Sequence, residues 1–188
     1  MSFDVDRFVS ECRVALRERT PELAVREVVE RATARPDELE RALGTPRGGG
    51  LVTLHHSSEL TVLNVTWAPG MAIYPHEHCM WAIIGLYGGC EENVFYRRRP
   101  HGLEPAGGQR IEPRGVALLG HSIIHSVSNP FDRLTAAIHV YGGDFFGVPR
   151  SEWDPVTFEE RPWDVVNARR AFQEANERWF ARATAGSG

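Results

Sequence analysis

The residues with the most chemistry to offer lie in Gly70-Met-Ala-Ile-Tyr-Pro-His76-Glu77-His78. On an extended chain successive side chains alternate, so His76 and His78 share a face and Glu77 points away. Two imidazoles on one side, two residues apart, can grip a single metal ion. A third ligand must come from elsewhere in the chain. His125, in His125-Ser-Val-Ser-Asn129, is the best donor, because it opens a later strand candidate after a loop. His121 is its rival, since His121 and His125 would face one ion on a helix. The position of His121 after Gly120, between strand and turn signals, makes it a rim residue instead. Three neutral imidazoles leave a divalent charge uncompensated and coordination positions open, which suits an anionic bidentate substrate and dioxygen. Imidazole serves iron, copper, nickel and zinc alike, so the donors do not choose the metal.

Short extended segments must carry these histidines. Alternation and turn signals predict strands at 51–56, 60–67, 71–76, 81–87, 92–98, 115–119, 125–127 and 134–141. The turns between them are marked by Pro69-Gly70, Gly88-Gly89, Pro105 to Gly108, Pro113 to Gly115 and Asn129-Pro130. Many short strands at such spacing indicate a sandwich or barrel. Residues 3–43 read as helical: Phe8, Val9, Cys12 and Leu16 recur near helical spacing. Thr20-Pro21 and Arg35-Pro36 look like helix starts, and the third helix ends at Gly44. The expected organisation is one domain, 1–188. It has a helical cap over 1–46, a β-barrel core over 50–146, and an extension over 147–188 that closes with an amphipathic helix at 163–184.

Composition narrows the partners. The net charge is −4 and all 21 basic residues are Arg, which suggests no nucleic-acid surface and fits a GC-rich bacterial genome. Cys12, Cys79 and Cys90 form no CxxC and are odd in number, so a reducing cytoplasm is expected rather than a disulfide framework. The first residues lack the apolar run of a signal peptide, and no stretch is apolar enough to predict a membrane span.

The His-x-His pair after Gly-x5, with the downstream His-x3-Asn, has the form of the cupin motifs. Segments 67–85 and 125–143 together resemble the thiol dioxygenases of the cupin superfamily, namely cysteine dioxygenase and mercaptopropionate dioxygenase. The likeness spans about residues 50–146. It implies a mainly β cupin double-stranded β-helix, or jelly roll, in which His76, His78 and His125 bind Fe(II). Nickel, copper or zinc are alternatives. It implies a small-molecule thiol and dioxygen as partners, a sulfinate product, and a monomer or small homo-oligomer. The family's Ser-x-His-x-Tyr strand reads Ala137-Ile-His139-Val-Tyr141 here, so His139 and Tyr141 are the expected catalytic residues, with the outer Ser lost.

Further departures follow from the same comparison. The carboxylate ligand of typical cupins would fall at Ala82 or Ile83, and is missing. No Cys is placed to crosslink Tyr141, and Cys79 reads as structural. The family's carboxylate-binding Arg on an early strand has no counterpart in 51–59, and Arg47 lies in a Gly-rich loop. His55 or His56 could supply polar contacts instead, Trp81 could wall the site, and Arg97-Arg98-Arg99 reads as a solvated charge run. Two other readings stay open: a three-His dioxygenase for a diketone-like chelating substrate, and a non-catalytic metal- or ligand-binding cupin.

Overall fold

The computed structural model describes residues 2–185. Three helices come first: α1 (Val5–Ala15), α2 (Pro21–Thr33) and α3 (Pro36–Leu43). Asp4 caps α1 by accepting the Arg7 amide at 2.8 Å. Proline opens α2 and α3, where a missing N–H leaves nothing unpaired. Thr20 stands at the N-cap of α2, but its side chain makes no capping bond.

Nine strands follow: β1 (Gly50–His56), β2 (Thr61–Trp67), β3 (Ala72–Glu77), β4 (Ala82–Gly88), β5 (Glu91–Arg99), β6 (Gly102–Ile111), β7 (Val116–Leu119), β8 (Ile124–Ser128) and β9 (Thr135–Tyr141). Two short strands, β10 (Ser151–Trp153) and β11 (Glu160–Pro162), precede α4 (Val165–Ala185). They build two antiparallel sheets, ordered β1-β2-β9-β4-β7 and β11-β10-β3-β8-β5-β6. The fold is mainly β, a jelly roll of the double-stranded β-helix type with helices at both ends. The expected barrel is a sandwich of two sheets, because no ladder joins their end strands among the described residues.

The five-stranded sheet is covered on both faces. Leu63, Val65, Ile84, Leu86 and Ala137 point into the space between the sheets. Their sequence neighbours Val62, Ile83, Ile138 and Val140 pack on Phe8, Cys12, Val25, Val29 and Leu39 of the helical cap. Burial on both faces explains why β2 and β9 read as continuous buried runs. The cap sits close: a Cβ at Gly85 would lie 2.4 Å from Val29 Cγ1.

Two expectations change. Pro105 to Gly108, expected as a turn, lies inside β6. β6 is an end strand, and its register with β5 shifts between Phe95 and Tyr96, so the bulge at an edge accommodates the proline. The segment after Gly147 also carries structure: β10 pairs with β3 through Glu152 and His76.

Candidate metal centre and its cavity

His76 on β3 and His125 on β8 are cross-strand partners, and His78 follows at the end of β3. His78 Nε2 lies 3.2 Å from His76 Nε2 and 3.3 Å from His125 Nε2. The outer nitrogens are held. His76 Nδ1 donates to the Tyr74 carbonyl at 3.0 Å, and His125 Nδ1 donates to Asn93 Oδ1 at 2.7 Å. Those bonds fix the protons outside, so His76 and His125 turn bare Nε2 lone pairs inward. Facing lone pairs repel unless a cation sits among them. Nitrogens about 2.0–2.1 Å from one ion, at ordinary coordination angles, stand about 3.0–3.4 Å apart. The donor set therefore fits a divalent ion. Burial lowers the His76 pKa to about 4, and burial plus mutual repulsion holds His78 and His125 well below the usual histidine range, so all three are neutral donors at pH 7. No carboxylate joins the cluster among the described residues.

Beside it lies the second part of the expected site. Ala137, His139 and Tyr141 alternate along β9 and are all buried. His139 Nδ1 is 3.0 Å from the Tyr141 hydroxyl, and Tyr141 stands edge-on to His78, with ring centroids 5.1 Å apart. Burial raises the Tyr141 pKa and lowers that of His139 to about 3. His139 Nε2 has no hydrogen-bond partner, as the Ala at position 137 leads one to expect.

A residue that no sequence motif marks stands close to that nitrogen. Glu91 is fully buried, and its Oε2 lies 3.9 Å from His139 Nε2. Its carboxylate accepts from Trp67 Nε1 and Asn93 Nδ2, each at 2.9 Å. Burial raises Glu91 to about 7. At 3.9 Å, with both groups pushed toward their uncharged forms, the contact is neutral rather than an ion pair. Asn93 thus links Glu91 to His125. Only the buried end of an otherwise exposed, charged strand marks these two residues, which is a weak signal.

Arg150 is the other missed residue. It is 8% exposed, and its guanidinium lies over the rings of Phe145 and Trp163, 4.4 and 4.6 Å from their centroids. Nη1 donates to the Phe145 and Val148 carbonyls, while Nε has no partner. Arg150 and the three histidines line one cavity of about 770 Å³. An Arg in a Pro- and Trp-rich segment without periodicity gives no sign of where it points.

Other candidates fall away from the cavity. His121 is exposed in a turn. His56 accompanies Asp144 on the surface at 2.7 Å, and neither it nor His55 lines the cavity. Trp81 packs on the cap side of the sheet, not on the cavity, beside Gly142, where a Cβ would lie 2.0 Å from its ring. Arg47 is exposed. Arg98 meets Glu77 and Glu160, and Arg99 meets Glu104, so that run is a paired outer face. Cys79 sits half-buried in the loop after β3, with φ 54°.

No family model matches the chain. Solved structures with a similar fold include the Cnp3 cupin domain of Schizosaccharomyces pombe, at 12% identity and TM-score 0.43, covering 50% of this chain and 60% of that one. A conserved Klebsiella pneumoniae protein with a double-stranded β-helix domain matches at 12% identity and TM-score 0.43, covering 54% of this chain and 77% of that one. An oxalate oxidase in complex with glycolate matches at 13% identity and TM-score 0.42, covering 53% of each. At such values these likenesses say nothing of what this chain binds. No described helix is long and apolar enough to cross a membrane.

Proposed function

We propose that this chain is an iron(II)-dependent dioxygenase that converts an anionic small thiol to a sulfinate. The observation that carries the reading is one cavity holding three converging imidazole nitrogens, the Tyr141–His139 pair and a buried Arg. A ferrous ion held by His76, His78 and His125 would supply the electron exchange with dioxygen that the protein's own side chains lack. The overall change is R–SH + O₂ → R–SO₂⁻ + H⁺. Sulfur gives up the four electrons that dioxygen takes, so no other reductant is needed.

The chain's residues bind and orient. Arg150 supplies the carboxylate partner that 51–59 lacks, from the opposite end of the chain order. Its ring contacts hold the guanidinium at the cavity wall, where its charge attracts an anion. That removes the reason to prefer a neutral diketone. The bare Nε2 of His139 fits the tautomer protonated at Nδ1, in which His139 donates to the Tyr141 oxygen. The hydroxyl proton of Tyr141 then faces the cavity, where it can bond the reacting groups. Trp163, Val165 and Phe172, from the chain around the start of α4, line the cavity with apolar surface.

Oxygen uptake by iron-loaded protein, with mass spectrometry of the products, tests this reading. Thiol-dependent uptake with a gain of two oxygen atoms supports it. Uptake without thiol, or no turnover across carboxylated thiols, contradicts it.

A further inference from the structure

The size and lining of the cavity exceed what a three-carbon thiol acid needs. Such a molecule fills on the order of 100 Å³, on a scale where one water takes about 30 Å³. The cavity measures about 770 Å³. Polar groups line part of it, among them the three histidines, Tyr141, Arg150, Asp164 and Arg169. Much of the rest is apolar. Val65 and Trp67 come from β2, Ile73 from β3 and Val127 from β8, and Ala168 and Phe172 close over them from α4. Trp67 and Phe172 stack on each other, with ring centroids 5.5 Å apart at 14°, and form one apolar unit of the wall. Water against such walls is poorly bonded, and an apolar group that displaces it gains the burial free energy.

We propose that the substrate is an anionic thiol bearing a bulky apolar substituent of about the size of an aryl ring. This rests on the reading above: the anion meets Arg150 and the sulfur meets the histidine cluster. The substituent lies against the stacked Trp67–Phe172 pair, beside Ala168. The wall built by α4 then sets specificity, and Ala168, a small residue in that wall, leaves room for the substituent.

Zinc-loaded protein, which is redox-inert, allows the test by isothermal calorimetry. The probes are 3-mercaptopropionate, 2-benzyl-3-mercaptopropanoate, and the thiol-free pair propionate and 3-phenylpropanoate. Burial of the ring predicts that the benzyl thiol binds roughly 10- to 100-fold more tightly than 3-mercaptopropionate. Ala168→Trp, which fills the space, is expected to erase that advantage while leaving 3-mercaptopropionate binding within about twofold. Ala168→Leu should erase part of it, and serves if the larger substitution folds poorly. Equal affinities of the two thiols, an advantage that survives both substitutions, or no binding of any probe overturns the proposal. The outcomes separate the two claims. If 3-phenylpropanoate outbinds propionate but neither gains from its thiol, the aryl site stands and the thiol reading fails.

Discussion

Glu91→Gln gives a pH-dependent signature that can be worked through from the structure. The Glu91 carboxyl is fully buried and meets only neutral donors within hydrogen-bond distance, Trp67 Nε1 and Asn93 Nδ2. Burial lifts its pKa from 4.5 to about 7. Between those values the folded protein keeps a proton that the unfolded chain has lost. Folded stability therefore falls as pH rises, with the Glu91 contribution full below 4.5 and gone above 7. At about 1.4 kcal/mol per pH unit, the loss between pH 5 and 8 is roughly 2–3 kcal/mol. Gln cannot titrate, and its NH2 cannot accept where a carboxylate oxygen did, so one of the two donors loses its partner at a constant cost of about 1 kcal/mol. His139, lowered by burial to about 3, destabilises the fold as pH falls below 6.5, but does so in both proteins and cancels in the difference. Urea denaturation of metal-free protein at pH 5, 6, 7 and 8 measures that difference. The wild type should lose roughly 2–3 kcal/mol relative to the variant across the range. Curves that stay parallel would refute a buried, proton-retaining Glu91.

Three further outcomes are expected. Arg150→Met should weaken binding of a carboxylated thiol by about 10- to 100-fold, the worth of a charge-assisted hydrogen bond, and leave an uncharged thiol unaffected in calorimetry. Tyr141→Phe should keep full metal content while lowering turnover about tenfold or more, read from sulfinate formed per minute. Gly85→Ala should destabilise the fold by about 1–3 kcal/mol in thermal melts, because its Cβ would press 2.4 Å from Val29 Cγ1 and 2.7 Å from Thr33 Cγ2 and push α2 off the sheet.

The legible parts of the chain were those governed by local periodicity. Alternation alone puts His76 and His78 on one face, and places Ala137, His139 and Tyr141 together on β9. Eight of the strands appear where apolar alternation and turn residues coincide. β6 was hidden because its Pro and Gly residues resemble a turn, and only the bulge against β5 shows how an edge strand tolerates them. The cavity was less legible than the ligands. Arg150 reaches it by tertiary packing, with its guanidinium over Phe145 and Trp163, and no spacing in the sequence encodes that approach. Glu91 and Asn93 look like the polar start of a surface strand, yet alternation turns both to the inner face of the sheet, where they meet Trp67 and His125. Asn129 shows the converse: its place in His-x3-Asn suggests the site, but its amide donates to the Trp67, Ala68 and Arg133 carbonyls and pins loops.

Metal stoichiometry tests the central claim most directly. Wild-type protein, His76→Ala, His78→Ala, His125→Ala and the surface control His121→Ala would be loaded with ferrous or zinc ion, desalted and assayed by mass spectrometry of the metal, with circular dichroism to confirm folding. The account predicts about one ion per chain in the wild type and in His121→Ala, and a loss of at least tenfold in affinity for each of the other three. Full occupancy in a folded His125→Ala protein would contradict it.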